Sequence, residues 1–278
     1  MLIDSHHHLW KYSRDQYGWI DDQMAVLKQD FLVPELQQVA AGSEIDGFVA
    51  VQARQTLEET QTLLKLAAGE PLIRGVVGWL PLADRMVGDT IDRLASDPLL
   101  KGVRHVVQDE PDDQFILGKD FNHGVAQLEG RKLVYDVLIF ARQLPASIEF
   151  VDSHPTIPMV LDHIAKPTIQ VNQFDQAWER HFREIAKREN LTCKFSGVVT
   201  EVRAEQWTID MVRPYWEVAL DAFTPKRLMF GSDWPVCLLK SPHKGWLQTV
   251  QQLAAELSAD EKADLFANTA ARVYNLQP

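Results

Sequence analysis

Near the amino end of the chain, Asp4-Ser5-His6-His7-His8 follows the apolar pair Leu2-Ile3. Side chains of an extended strand alternate between faces, so Asp4, His6 and His8 are expected on one face and Ser5 and His7 on the other. Two imidazoles on one face can hold a divalent cation, since neutral imidazole suits zinc and related metals. The plainer alternative, a surface histidine cluster, fits the strand context less well. A second candidate lies in Val160-Leu161-Asp162-His163-Ile164-Ala165-Lys166-Pro167. Pro167 stops strand pairing there and leaves His163 at the strand's end, as a ligand, a donor to a carbonyl oxygen or a structural residue. The third is Met229-Phe230-Gly231-Ser232-Asp233-Trp234-Pro235, an apolar strand running into a carboxylate. Asp233 there is an ionisable residue at a strand end, or else the cap of a following helix.

Two strand ends carry weaker signals, Gly102-Val103-Arg104-His105 and Val134-Tyr135-Asp136. Arg104 offers a rigid fork to carboxylate or hydroxyl oxygens, while His105 and Tyr135 are candidate proton donors. Lys194, Ser196 and Glu201 cluster near a later strand and read equally well as a solvated rim. The acidic run Asp109-Glu110-Pro111-Asp112-Asp113 reads first as an ordinary loop, and second as part of a pocket mouth.

Eight short apolar or β-branched runs can position these residues: 2–6, 47–53, 73–80, 102–107, 133–140, 158–163, 191–195 and 227–230. Amphipathic stretches such as 56–68, 174–188 and 244–257 alternate with them, with apolar residues returning every three or four positions. Strand and helix units repeated in this way favour an α/β fold with a parallel sheet, and eight favour closure into a (β/α)8 TIM-like barrel. A doubly wound open sheet would more often show a glycine-rich turn after its first strand, where this chain has its histidines. No linker or low-complexity stretch divides residues 1–278, which are expected to form a single barrel domain. The first βα connection, 9–33, is unusually long and contains Trp10, Tyr17 and Trp19; loops of that length tend to be functional.

The composition narrows the partners. Lys and Arg number 28 against 39 Asp and Glu, a net charge of −11, which argues against a nucleic acid backbone as ligand. No apolar run reaches the roughly 20 residues that span a bilayer, so no membrane association is expected. Two cysteines, Cys193 and Cys237, are too few for a disulfide framework, and a reducing cytoplasm is the expected compartment. A homo-oligomer is compatible with the sequence.

Taken together and in order, Ile3-Asp4-Ser5-His6-His7-His8-Leu9-Trp10, Asp30-Phe31-Leu32, Gly102-Val103-Arg104-His105, Leu161 to Pro167, Lys194-Phe195-Ser196-Gly197 and Gly231-Ser232-Asp233-Trp234-Pro235 carry a family likeness through nearly the whole chain. The sequence resembles the amidohydrolase-related (amidohydrolase 2) family, in its sugar-lactonase and pyrone-dicarboxylate-lactonase branch. The resemblance implies a distorted (β/α)8 barrel that hydrolyses a lactone. By position, it assigns His6, His8, His163 and Asp233 to the family's metal or catalytic set. Two departures argue against a two-metal site: the fourth strand carries Arg104-His105 in place of a modified lysine, and the fifth carries Tyr135 in place of a histidine. One divalent metal is therefore expected, zinc first among the candidates, weakly bound or dispensable.

These residues support a mechanism in which Asp233 is the general base and His6, His8 and His163 polarise the carbonyl directly or through a metal. Arg104, His105 and Trp10 are expected to bind substrate, and Tyr135 to assist the oxyanion or leaving group. The expected substrate is a small sugar aldonolactone such as an L-fucono- or L-rhamnono-lactone, since aromatic faces of the long loop can pack on a sugar ring. A strongly anionic dicarboxylate would need several arginines at the pocket, and the sequence alone does not place Arg54, Arg74 or Arg203 there. The alternatives are a metal-assisted decarboxylase of an unsaturated acid and a noncatalytic sugar-binding barrel.

Overall fold

A computed structural model describes residues 1–277 and places eight strands in one parallel sheet, in the order of the sequence. They are β1 (Ile3–His7), β2 (Gly47–Val51), β3 (Ile73–Gly78), β4 (Leu100–Val106), β5 (Val134–Leu138), β6 (Met159–Leu161), β7 (Leu191–Phe195) and β8 (Leu228–Phe230). The principal helices between and after them are α1 (Val33–Ser43), α2 (Leu57–Gly69), α3 (Val87–Ala95), α4 (Lys119–Ala126), α5 (Leu144–Ser153), α6 (Gln176–Ile185), α7 (Ile209–Arg227) and α8 (His243–Leu253). Across the seam between β8 and β1, His8 N donates to Trp234 O at 2.7 Å and Asp233 N to His6 O at 2.8 Å. The sheet is thus a nearly closed (β/α)8 barrel, as expected.

Local chemistry sets the element ends. The Thr56 hydroxyl caps α2 by accepting from Glu59 N, and the Asp175 carboxylate caps α6 by accepting from Trp178 N. Trp178, Phe182 and Ile185 recur at helical spacing and bury one face of α6 against the barrel. Inside the barrel, Ile3, Val49, Val51, Val77, Val134, Val160 and Met229 form an apolar layer. Tyr274 and Leu276, from the carboxyl-terminal segment, pack against its lower side.

One strand breaks its own alternation. Asp4 lies opposite Phe48 but His7 lies opposite Ala50, so three steps on β1 match two on β2. Such a bulge inverts facing beyond the extra residue. Asp4 consequently turns towards α8, where it accepts from His243 Nε2 at 2.9 Å and from Ser232 N at 2.8 Å. The expectation that Asp4 shares a face with His6 and His8 is therefore corrected.

Candidate active site

Above the apolar layer the barrel interior becomes ionic. Lys194 on β7 and Asp136 on β5 are fully buried, with Lys194 Nζ 2.6 Å from Asp136 Oδ2, 3.0 Å from Asp162 Oδ1 and 3.2 Å from His6 Nδ1. Arg104 on β4 donates through Nη1 to Asp162 Oδ2 at 2.9 Å and lies 3.3 Å from His6 Nε2. Tyr274 closes the network from below, its hydroxyl 2.8 and 2.9 Å from the two oxygens of Asp136. Burial opposes ionisation of Asp162, but Lys194, His6 and Arg104 together outweigh it and hold the carboxyl well below its usual range. Two cations and two carboxylates thus support His6 from beneath. The reading of Lys194 as part of a solvated rim is corrected: it is entirely enclosed.

Asp233 lies over this network. Its Oδ1 is 3.2 Å from His8 Nε2 and 3.7 Å from His6 Nε2, and the rings of His6 and His163 are 4.4 Å apart. Burial pushes the Asp233 carboxyl up, but His163, His8 and His6 together bring it below its usual range. Burial lowers His163 to about 4 and places His6 well below its ordinary value. Both imidazoles are therefore neutral at pH 7, with lone pairs to offer.

The local backbone is strained where this set assembles. His163, Ile164, Ala165 and Lys166 all have positive φ, between 47° and 59°, and Asp233 has φ 60°. Non-glycine residues pay roughly 1–2 kcal/mol each for that conformation, and such strain concentrates at functional sites. Gly197, also left-handed at φ 62°, runs directly beneath: a Cβ there would stand 2.6 Å from His163 Nδ1 and 3.0 Å from Asp233 Oδ2. Only glycine lets β7 end this close to both side chains.

The donor set fits a metal ion. His6, His8 and Asp233 each offer one ligand atom, and those atoms lie within 4.8 Å of one another. His8 Nδ1 is 2.8 Å from the Val51 carbonyl, an acceptor only, so that nitrogen carries the proton. Nε2 is then the ring atom that faces the Asp233 carboxylate, at 3.2 Å, and a divalent ion between the two would take its lone pair. A histidine whose other ring nitrogen donates to a backbone carbonyl is also the usual support for a metal ligand. His6, Asp162 and His163 satisfy the same distance test, but Arg104 and Lys194 already neutralise Asp162.

This centre opens into a cavity of about 540 Å³ walled by His8, Gln52, Arg104, His163 and Asp233, with Trp19, Arg54, Gln108, Asp109 and Lys166 nearer its mouth. A sequence model of the family described as Amidohydrolase matches residues 3–276. The chain belongs to the amidohydrolase family. Among relatives of this amidohydrolase, the L-fucono-1,5-lactonase of Burkholderia multivorans (strain ATCC 17616 / 249) is 40% identical over 288 residues, 99% of this chain and 96% of that protein. The L-fucono-1,5-lactonase of Burkholderia ambifaria is 33% identical, over 99% of this chain and 95% of its own length. A crystal structure of an amidohydrolase from Burkholderia multivorans with bound zinc superposes with a TM-score of 0.94 at 40% identity, covering all of both chains.

The structure brings His6, His8, His163, Asp233 and Arg104 together in the amidohydrolase, and turns three other candidates away. Tyr135 neighbours Arg104 in the barrel but projects outwards, packing on Phe121 and Phe150 at 6.0 and 5.5 Å. Its strand neighbour Asp136 takes the inward position, because β5 pairs Asp136 with Arg104 and Tyr135 with Val103. His105 likewise faces out, stacked on Phe115 at 4.9 Å, with Nε2 2.7 Å from Glu110 Oε1. Trp10 is buried in the long first loop against Tyr17, Trp19 and Phe31, and its indole N–H donates to Gln29 O at 3.0 Å. The tryptophan of that loop in the cavity wall is Trp19. Sequence reasoning gave Asp162, Asp136 and Gln52 no role. Strand parity, applied from Arg104 across to β5, would have found Asp136. Of the three arginines left unplaced, Arg54 lines the cavity, whereas Arg203 is half exposed beside Glu201 and Arg74 donates to Asp46 O.

Proposed function

We propose that this amidohydrolase opens a lactone, the cyclic ester of a sugar acid, by attack of water on the carbonyl carbon. The observation that carries the reading is Asp233 facing His8 Nε2 at 3.2 Å and His6 Nε2 at 3.7 Å in the wall of the cavity. Full-length relatives named as L-fucono-1,5-lactonases support the same chemistry, and a neutral aldonolactone of that size suits the cavity.

Asp233 Oδ1 faces the histidines, while Oδ2 accepts no hydrogen bond among the described residues. An ionised carboxylate so placed can take the proton of a water as its oxygen bonds to the carbonyl carbon. The same proton then passes to the ring oxygen as the acyl C–O bond breaks, giving a hydroxy acid. His6, His8 and Asp233 would hold a divalent ion, zinc first among the candidates, and it would supply Lewis acidity at this point. The neutral ring of His163, which shares a hydrogen bond with Ser196 Oγ at 2.9 Å, is fixed against the developing oxyanion. The unit that acts is the whole chain, one barrel.

An indicator screen of aldono-1,4- and 1,5-lactones, with and without added zinc or manganese, tests this reading. One acid equivalent per turnover is expected, with at most one metal ion per chain. Asp233→Asn should lower kcat/KM by about 10²- to 10⁴-fold while leaving the melting temperature within a few degrees. An unchanged rate in Asp233→Asn, or carbon dioxide release from unsaturated acids with no lactone opened, would refute it.

A further inference from the structure

The Gln52 amide is among the polar groups left without a hydrogen-bond partner at the cavity wall. Gln52 follows the last residue of β2 and is fully buried. Arg104 Nη2 donates to its side-chain oxygen Oε1 at 3.0 Å and also to its backbone carbonyl. A guanidinium can only donate, so the atom it meets must be oxygen. The orientation of the Gln52 amide is thereby fixed, and its Nε2 points elsewhere. Nε2 has no hydrogen-bond partner although it is buried, and Gln52 borders the cavity beside Arg104, His8 and Asp233. A buried amide left unpaired typically costs about 1–3 kcal/mol, a penalty that a ligand oxygen would remove.

A second amide of opposite polarity borders the same cavity. Gln108, in the turn after β4, donates through Nε2 to Asp109 Oδ1 at 3.2 Å, which leaves Oε1 as its acceptor. That Oε1 is buried and also without a partner. An unpaired donor and an unpaired acceptor suit a ligand that offers both functions. A carboxylate or keto group only accepts; an alcohol accepts and donates.

We propose that Gln52 and Gln108 are the specificity-determining pair of the site: Gln52 Nε2 donates to one ring hydroxyl of the substrate, and Gln108 Oε1 accepts from another. The substrate class that follows is a neutral, polyhydroxylated lactone, not a dicarboxylate or an unsubstituted lactone. The inference rests on the lactone-opening reading and refines it. Arg104 is then a positioning residue, locking the Gln52 amide while its Nη1 supports His6.

The test measures kcat/KM for the wild type, Gln52→Met and Gln108→Met on a fully hydroxylated aldonolactone and on each of its mono-deoxy analogues. The wild type should disfavour two of the analogues, each by about 5- to 150-fold, the range that corresponds to one unpaired amide. Gln52→Met should lose a similar factor on the parent and no longer distinguish it from one of those analogues, and Gln108→Met should behave the same way towards the other. Gln108→Met leaves Arg104 untouched, so it decides the matter even if Gln52→Met folds poorly. Variants that keep the wild-type order of preference across all analogues would overturn the proposal; an amide that merely meets an internal water gives that result. If the wild type opens no lactone, the reaction reading fails separately. Calorimetry with a sugar alcohol and its deoxy counterpart then settles the pair: binding weakened both by deoxygenation and by Gln108→Met upholds it, and absence of binding overturns it.

Discussion

Replacing Lys194 with methionine tests the ionic floor of the site. Lys194 is wholly enclosed and bridges Asp136 at 2.6 Å and Asp162 at 3.0 Å. Methionine has nearly the right length but no charge. Two buried carboxylates would then share one cation, Arg104, which contacts only Asp162 among them. Asp136 would retain just the Tyr274 hydroxyl. Removing one partner from a buried pair is destabilising by about 3–5 kcal/mol, a large share of the roughly 5–15 kcal/mol available to a domain. At about 2–4 °C per kcal/mol for a chain of this size class, the melting temperature should fall by about 6–20 °C. Adding Asp136→Asn restores one cation to one carboxylate and keeps an acceptor for Tyr274. The double variant should therefore recover part of the loss, with a coupling of about 1–3 kcal/mol in the cycle of four proteins. Urea unfolding and calorimetric melting at pH 7.5 measure both quantities. A loss below about 1 kcal/mol in Lys194→Met, or strict additivity in the double variant, would refute the reasoning.

Tyr135→Phe separates the outward tyrosine from the chemistry: its hydroxyl is buried without a partner, so removal should stabilise the fold by up to about 1 kcal/mol and leave turnover within about twofold. A tenfold fall in kcat would return Tyr135 to the active site. Burial pushes Glu59 up to about 7, against an ordinary value of 4.5. The folded chain thus keeps a proton that the unfolded chain has released between those limits. Glu59 accordingly favours the fold most below about pH 4.5, and its contribution falls as pH rises through 7, by at most about 3 kcal/mol. Glu59→Gln should gain stability relative to wild type between pH 4.5 and 8, and parallel stability curves for the two proteins would exclude this.

Much of the barrel was legible because its elements announce themselves locally. The long helices α2 and α6 carry their apolar faces at helical spacing and their caps in Thr56 and Asp175. The strand ends could be read as well, because Pro167 and Pro235 stop pairing just past His163 and Asp233. Facing was less legible. At β5 a choice by chemical type favoured Tyr135, whereas register with Arg104 selects Asp136. At β1 simple alternation failed because one extra residue lies between Asp4 and His7. Trp10 and Trp19 illustrate a third difficulty: both sit in one loop, and composition does not say which of them builds the loop and which lines the cavity.

By itself, the sequence determined the alternation of strands and helices, their number and the residues at the strand ends, since each of these depends on near neighbours in the chain. Tertiary structure alone decided that Lys194, Asp136, Asp162 and Arg104 neutralise one another under His6, and that the Gln52 amide is held with its nitrogen unpaired. Apart from Lys194 and Asp162, 32 positions apart, those pairings join residues at least 52 positions apart, as between Arg104 and Gln52, and up to 188, as between Lys194 and His6. They exist only because barrel closure removes water from its axis, where a buried charge must find an opposite charge and a buried amide a partner.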